Sequence, residues 1–310
     1  MSSPALASPV RPSPALTAQV QALLAGPVPV STPEARAALC ATLRPLLDEG
    51  GVLDDQSGGV RLRLDAAWGA LTLALRSGRP VEHHAETSST NTRARALAAV
   101  LPAGAPLPLV VADHQTAGRG RLGRSWSAAP GAGLLFSLVL RPPVPPVEAP
   151  RCVLLWAAAM AEVLGLLLKW PNDLVDVEGR KVGGMLAELD GLGADRVPSV
   201  ILGVGINIEP PTDPALTQAG SLRGLGRAPV DRAALLGALV RAVDRVDPLD
   251  PAGLDRWRAR AHTLGRRVRV AGREGLATGL REDGALLVDG VPILAGDVEL
   301  VAGEAGRGTE

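Results

Sequence analysis

The sequence predicts an α+β protein of more than one domain, and three observations carry that expectation. Between Val81 and Ile208, short apolar runs of strand character alternate with helical patterns. Ahead of them, two helical patterns lead into a hairpin signal over Val52 to Leu64. Behind them, Gly265 to Val301 alternates short Val/Leu strands with glycine turns. A chain of 310 residues has room for two or three domains and a sizeable core.

Residues 1–15 hold four prolines among Ser and Ala and read as a disordered lead-in. Apolar residues at helical spacing fill Leu16 to Ala25, and Gly26 with Pro27 ends them. Ser31 or Thr32 can cap a second helix that has Pro33 at its first position and runs to about Asp48. Pro45 should kink or divide it, and Gly50-Gly51 should stop it. The hairpin turns at Ser57-Gly58-Gly59, so residues 16–79 read as a degenerate winged-helix-like unit.

A middle domain over 80–263 opens near Val81. Thr87 to Asn91 reads as a loop feeding a helix N-terminus, and Leu107 to Ala112 as a strand that delivers Asp113, His114 and Gln115 to a glycine/arginine loop. Gly133 to Leu140 is a second strand. Pro150 opens a helix apolar nearly all round and therefore buried, with Trp156 and Met160 as core. Leu166 to Trp170 is a strand, Leu174 to Val177 and Lys181 to Leu189 form a hairpin, and Arg196 to Ile208 is a buried strand holding Gly203 and Gly205. Helices follow from Asp231 and from Asp250-Pro251. Residues 264–302 make a small all-β barrel of SH3-like size, turning at Ala271-Gly272, Asp283-Gly284 and Asp289-Gly290.

Composition removes several function classes. Lys+Arg and Asp+Glu both total 32, so no global field points to nucleic acid or membrane, and any basic site is local. Over residues 1–79, seven arginines stand against six acids, too weak a surplus for DNA binding through phosphates. Aromatics make up 2% of the chain, which disfavours base-stacking platforms. Cys40 and Cys152 lie far apart and read as reduced, buried thiols. The longest strongly apolar run, Cys152 to Ala161, is too short to span a bilayer, and the N-terminus lacks a signal-peptide layout; a cytoplasmic location is expected.

Chemistry concentrates in four polar clusters of the middle domain: Ser88–Asn91, Gln115–Arg124, Lys169–Asp173 and Lys181–Gly184. The second alternates Gly118, Gly120 and Gly123 with Arg119, Arg121 and Arg124, placing guanidinium forks and open backbone N–H groups on one loop. Together the clusters supply cations, one carboxylate and several glycines, with no Cys/His metal set and no Ser/His/Asp arrangement. Such a set suits chemistry at a phosphate, where positioning and charge stabilisation dominate.

Gly118–Trp126 as GRGRLGRSW, Lys169–Leu174 as KWPNDL, Lys181–Leu189 as KVGGMLAEL and Gly203–Ile208 as GVGINI resemble, in order and spacing, the successive signatures of the biotin protein ligases. With Ser89-Thr90-Asn91 and the C-terminal β region, the resemblance covers roughly residues 81–302. It implies a mixed β-sheet with flanking helices of the class II aminoacyl-tRNA synthetase and biotin ligase type. It also implies a two-step reaction: biotin and ATP, with Mg²⁺, give biotinoyl-5′-AMP and pyrophosphate, and the acyl group passes to a lysine of biotin carboxyl carrier protein.

By that resemblance Ser89, Thr90, Asn91, Gln115, Arg119, Gly120, Arg121, Trp126, Lys181 and Gly184 meet biotin. Arg119, Arg121, Arg124, Asn172, Lys181 and Asn207 meet ATP or the adenylate. Lys181, Arg121, Asp173 and Lys169 form the catalytic group. Asp173 holds Mg²⁺ or positions the incoming amine, and Trp126 packs apolar surface beside biotin. The tryptophan that some members place on the adenine is absent from Gln218–Leu222, which leaves the adenine contacts open. Two other activities are weighed beside this one: a bifunctional ligase and biotin-responsive DNA-binding repressor using residues 16–64, and a lipoate ligase. The resemblance also implies that homodimers are common, and an exposed strand edge in the catalytic sheet can receive the carrier domain.

Overall fold

The computed structural model describes residues 8–301 except 31, 57–58, 65–66, 191–198, 214–215, 217–218 and 228–229. The expectations that rest on residues 1–7, Ser31, Ser57-Gly58, Arg196, Gln218 and residue 302 lie outside the described residues.

Helix α1 spans Pro14–Ala25, with the Ser13 hydroxyl accepting from Leu16 N at 3.1 Å. It starts two residues earlier than the apolar spacing indicates, because Ser13-Pro14 is itself a cap followed by an N1 proline. Upstream, the expectation of disorder fails for part of the lead-in: Val10 exchanges backbone hydrogen bonds with Val81 at 2.7 and 3.0 Å. Helix α2, Pro33–Asp48, is capped by Thr32 and is not divided at Pro45. The proline forfeits one backbone bond near the helix end, while Leu39, Leu43 and Leu46 still bury their side chains on the same core. Strands β1 (Val52–Gln56) and β2 (Gly59–Arg63) pair antiparallel, and α3 (Ala70–Ser77) follows. One continuous helix therefore lies between Gly26 and the hairpin. Val20, Leu23, Leu43, Leu46, Val60, Leu62 and Leu64 form a separate small core beneath these elements.

The central sheet begins with β3 (Val81–Thr87), α4 (Thr90–Val100), β4 (Leu109–Gln115) and β5 (Gly133–Leu140). After α5 (Ala149–Leu164) it continues through β6 (Leu167–Lys169), β7 (Asp173–Val175), β8 (Lys181–Asp190) and β9 (Ser199–Asn207). The strand order is β3-β4-β5-β9-β8-β7-β6, with β3 and β4 parallel and the other neighbours antiparallel. It is a mixed sheet, as expected.

Alternation along the strands distributes side chains between two helical layers. Val110, Val139 and Ile201 point to α4, where Ala94, Leu97 and Ala98 meet them. Leu109, Val111, Phe136 and Leu138 point the other way, into the main core under α5. Trp156 and Met160 are buried there as expected. Helix α6 (Arg232–Asp244) is capped by Asp231, whose carboxylate accepts from Ala234 N at 2.9 Å, and α7 (Gly253–Arg258) completes this layer.

After α7 come β10 (Arg267–Val270), β11 (Arg273–Leu280), β12 (Leu286–Val288), β13 (Val291–Ile293) and β14 (Glu299–Leu300). They form an antiparallel five-stranded sheet ordered β13-β12-β11-β10-β14. Ala271-Gly272 and Asp289-Gly290 have positive φ at both positions, the tight two-residue turns that match strand twist. Val268, Ala277 and Leu286 of this sheet, with Val298 just before β14, share the main core. Among the described residues no helix is long and apolar enough to cross a membrane.

Candidate active site

One cavity of about 320 Å³ gathers the four clusters. Ser89, Thr90, Asn91, Gln115, Arg119, Gly120, Arg121, Arg124, Trp126, Lys169, Asn172, Asp173, Lys181 and Gly184 all line it. Asn207 does not; its amide donates to Gly220 O at 3.0 Å and fixes the segment after β9.

The uncharged wall is built where α4 starts. Ser89 occupies the N-cap position with no side-chain capping bond, so its hydroxyl is left for other partners. Gln115 Oε1 accepts from Thr90 N at 2.8 Å and from the Thr90 hydroxyl at 3.0 Å. With both lone pairs of that oxygen engaged, Gln115 presents its amide N–H groups to the cavity. Ser137, fully buried on β5, has Thr90 Oγ1 at 2.7 Å and Asn91 Oδ1 at 2.6 Å. The adjacent floor is glycine by necessity: a Cβ at Gly203 would lie 2.2 Å from Asn91 Oδ1, and one at Gly205 would lie 2.4 Å from Trp126 Cε2.

The glycine/arginine loop is a short folded hairpin. Gly120 N donates to Arg124 O at 2.7 Å and Trp126 N to Gly118 O at 2.9 Å. At its tip Leu122 takes φ 54°, a left-handed conformation seldom adopted by a branched residue. Arg119 pairs with Glu188 at 3.1 Å. Arg121 reaches Asn172 Oδ1 at 3.2 Å, Gly296 O at 3.3 Å and Asp297 at 3.4 Å, and Arg124 also pairs with Asp297.

Across the cavity, Lys181 Nζ sits 2.7 Å from Asp173 Oδ1 and 5.7 Å from the centre of the Trp126 ring. Gly184, opposite Asp173 in the β7–β8 register, leaves the space that Lys181 crosses; a Cβ there would lie 3.2 Å from Nζ. Asn172 spends its amide on Met185 O and holds the preceding turn. Five cations, Arg119, Arg121, Arg124, Lys169 and Lys181, thus share a cavity with the carboxylates of Asp173, Asp297 and Glu299. An anion entering it exchanges resident carboxylates for itself on those cations, which favours a polyanionic ligand.

Ser137, Glu188, Asp297 and Glu299 escaped the sequence reading. Ser137 had a signal: it is the one polar residue in GLLFSLVL, and a buried hydroxyl requires partners. Asp297 and Glu299 come from the C-terminal sheet, and nothing local in the sequence ties them to the loop.

Among the described residues no group of three or more His, Cys, Asp or Glu could hold a metal ion. Asp173, beside Lys181, would supply one of the one or two carboxylates with which Mg²⁺ is commonly bound beside nucleotide phosphates.

Residues 85–207 match the model of the biotin/lipoate A/B protein ligase family. The chain is 34% identical over 281 residues to the biotin--[acetyl-CoA-carboxylase] ligase of Mycobacterium tuberculosis, covering 83% of this chain and 96% of that one. It is 34% identical over 248 residues to the bifunctional ligase/repressor BirA of Bacillus subtilis, with 72% and 74% covered. Of the Bacillus spizizenii BirA it spans 66%. Among solved structures, the biotin protein ligase from Aquifex aeolicus in complex with biotin and ATP superposes with a TM-score of 0.57 at 27% identity, over 71% of this chain and 98% of that one. On its ordered motifs, its sheet and these relatives, the chain belongs to the biotin protein ligase family.

Proposed function

We infer that this ATP-dependent biotin ligase joins biotin to ATP as biotinoyl-5′-AMP, releasing pyrophosphate, and passes the acyl group to a lysine of biotin carboxyl carrier protein. The observation that carries this reading is the shared cavity: five cations and a buried neutral hydrogen-bonding wall line the same space. In the first step the biotin carboxylate attacks the α-phosphorus, bringing two anions together. Arg119, Arg121, Arg124 and Lys181 offset that repulsion, and holding both reactants in one cavity supplies the proximity. Ser89, Asn91 and the Gln115 amide meet the ureido ring, whose mixed donors and acceptors need paired partners. Trp126, whose ring lies against Gly205, packs the apolar part of biotin, with Gly120 and Gly184 giving close backbone approach.

Mg²⁺ would arrive with the nucleotide and screen its phosphates. Asp173 is the residue that would hold it, and it also keeps Lys181 in place. For the second step, Lys169 and Asp173 flank the approach of the acceptor amine. Residues 16–79, 80–263 and 264–302 are read as a winged-helix-like unit, the catalytic domain and an SH3-like barrel.

ATP-dependent labelling of the carrier, read by streptavidin blot, tests the assignment; no label on a carrier with its lysine intact would overturn it. Lipoate in place of biotin should give no product. Repression is disfavoured by the pairing of Arg36 with Asp55, Arg44 with Asp48 and Arg63 with Asp54, which engages cations that a DNA reader needs for phosphates. Biotinoyl-AMP-enhanced operator binding is therefore expected to be weak or absent.

A further inference from the structure

Glu188 stands near the end of β8, behind the cavity wall, yet three side chains from two other elements, Asn91, Arg95 and Arg119, converge on it. Its Oε2 accepts from Asn91 Nδ2 at 2.7 Å and from Arg119 NH2 at 3.1 Å, and its Oε1 faces Arg95 NH2 at 3.3 Å. Asn91 and Arg95 belong to α4, whereas Arg119 belongs to the glycine/arginine loop. One carboxylate therefore joins the helix that forms the uncharged wall to the loop that carries the cations.

The geometry fixes Asn91 completely. Its second amide hydrogen points to Leu186 O at 3.3 Å, and its oxygen lies 2.6 Å from the Ser137 hydroxyl. Turning the amide over would set its oxygen against the Glu188 carboxylate and the Leu186 carbonyl. With both N–H groups engaged, Asn91 can offer a ligand its oxygen only. The Arg119 pair is half exposed and by itself weak. Its significance lies in the acceptor it shares with the buried Asn91.

We propose that Glu188 is a positioning residue for biotin: it presets the Asn91 amide and anchors the first arginine of the loop, without lining the cavity. The proposal rests on the biotin-ligase reading above. Glu188→Gln removes the charge and replaces one acceptor oxygen with a donor, so Asn91 and Arg119 can no longer both be held. The KM for biotin should rise about tenfold, the loss associated with one hydrogen bond to a charged group. The kcat at saturating biotin should change by a smaller factor than KM, because Asn91 acts on binding alone and Arg119, though released, keeps its charge on the loop. Calorimetric biotin binding to the ATP-free enzyme should weaken by the same factor.

Glu188→Asp, which keeps the charge but is too short to reach both partners, should show the same split and covers the case in which Glu188→Gln fails to fold. An unchanged biotin KM and affinity in a folded variant would overturn the proposal, as would a kcat loss with KM unaltered. A wild-type enzyme that neither binds biotin nor labels the carrier would instead overturn the underlying reading.

Discussion

Trp68 donates its indole N–H to Asp113 Oδ1 at 2.6 Å, and this bond joins the junction of the two cores to the neck of the glycine/arginine loop. Ala67 packs in the small N-terminal core, whereas Trp68 packs against the main one. Arg232 lies over the indole face at 4.0 Å and also reaches Asp113 at 3.2 Å, while the His83 ring meets the indole edge-on. Asp113 O accepts from Gly131 N at 3.0 Å, closing the segment that contains the loop. Trp68→Phe keeps the ring contacts and deletes the donor. We expect a loss of ~1–2 kcal/mol in denaturant unfolding, and faster tryptic nicking between Arg119 and Arg124. Unchanged values of both would show that the neck is held without Trp68.

Lys181 and Asp173 make an asymmetric prediction. Lys181→Ala withdraws a cation and leaves the Asp173 carboxylate unpaired where phosphates arrive, whereas Asp173→Asn removes only the carboxylate. Single-turnover adenylate formation should fall by ~100-fold or more in Lys181→Ala, the scale seen when one preorganised charge stabiliser is lost. Asp173→Asn should fall less, and equal losses would refute the electrostatic assignment.

Gly203 and Gly205 should respond differently to the same added methyl group. At Gly203 the Cβ meets Asn91, a buried side chain held on both of its polar atoms, so Gly203→Ala should cost ~1–3 kcal/mol of stability. At Gly205 it meets the partly exposed Trp126 ring, which can swing outward. Gly205→Ala should keep a near-native melting temperature and lose biotin affinity. Calorimetry and thermal unfolding on the two variants separate these outcomes.

His262 gives the fold a titration on its acid side. The residue is 3% exposed, and neither ring nitrogen has a hydrogen-bond partner among the described residues. Burial lowers its pKa from 6.5, with Arg266 and Lys169 acting in the same direction and Asp176 opposing them. The unfolded chain then takes up this proton at a higher pH than the folded one. Stability should therefore decline as pH falls below about 6.5, until the folded imidazole also protonates. His262→Leu should flatten that part of the stability profile; an unaltered slope just below pH 6.5 would assign the decline to other groups.

The sheet was legible because its strands are short, apolar and punctuated, as in Gly133–Leu140, whose limits the structure reproduces. Gln115–Arg124 was legible as a loop because closely spaced glycines disfavour both helix and strand. Pro45 misled because a local steric rule was read without the three buried leucines that hold α2 together. Asp297 was invisible for a different reason: its partners Arg121 and Arg124 are more than a hundred and seventy residues away in the chain, as their separations of 176 and 173 show. Contacts of that reach leave no periodicity to read.

The pairing of Asp297 with the loop also sets an order of events during synthesis. The cavity draws its walls from Ser89 through Glu299, so a ribosome has translated nearly all of the described chain before the loop's arginines meet their counter-ion. A nascent or prematurely stopped chain lacking this last sheet would have the ligand-binding motifs but an unfinished enclosure. The enclosure around the loop is therefore the part of the cavity that synthesis completes last.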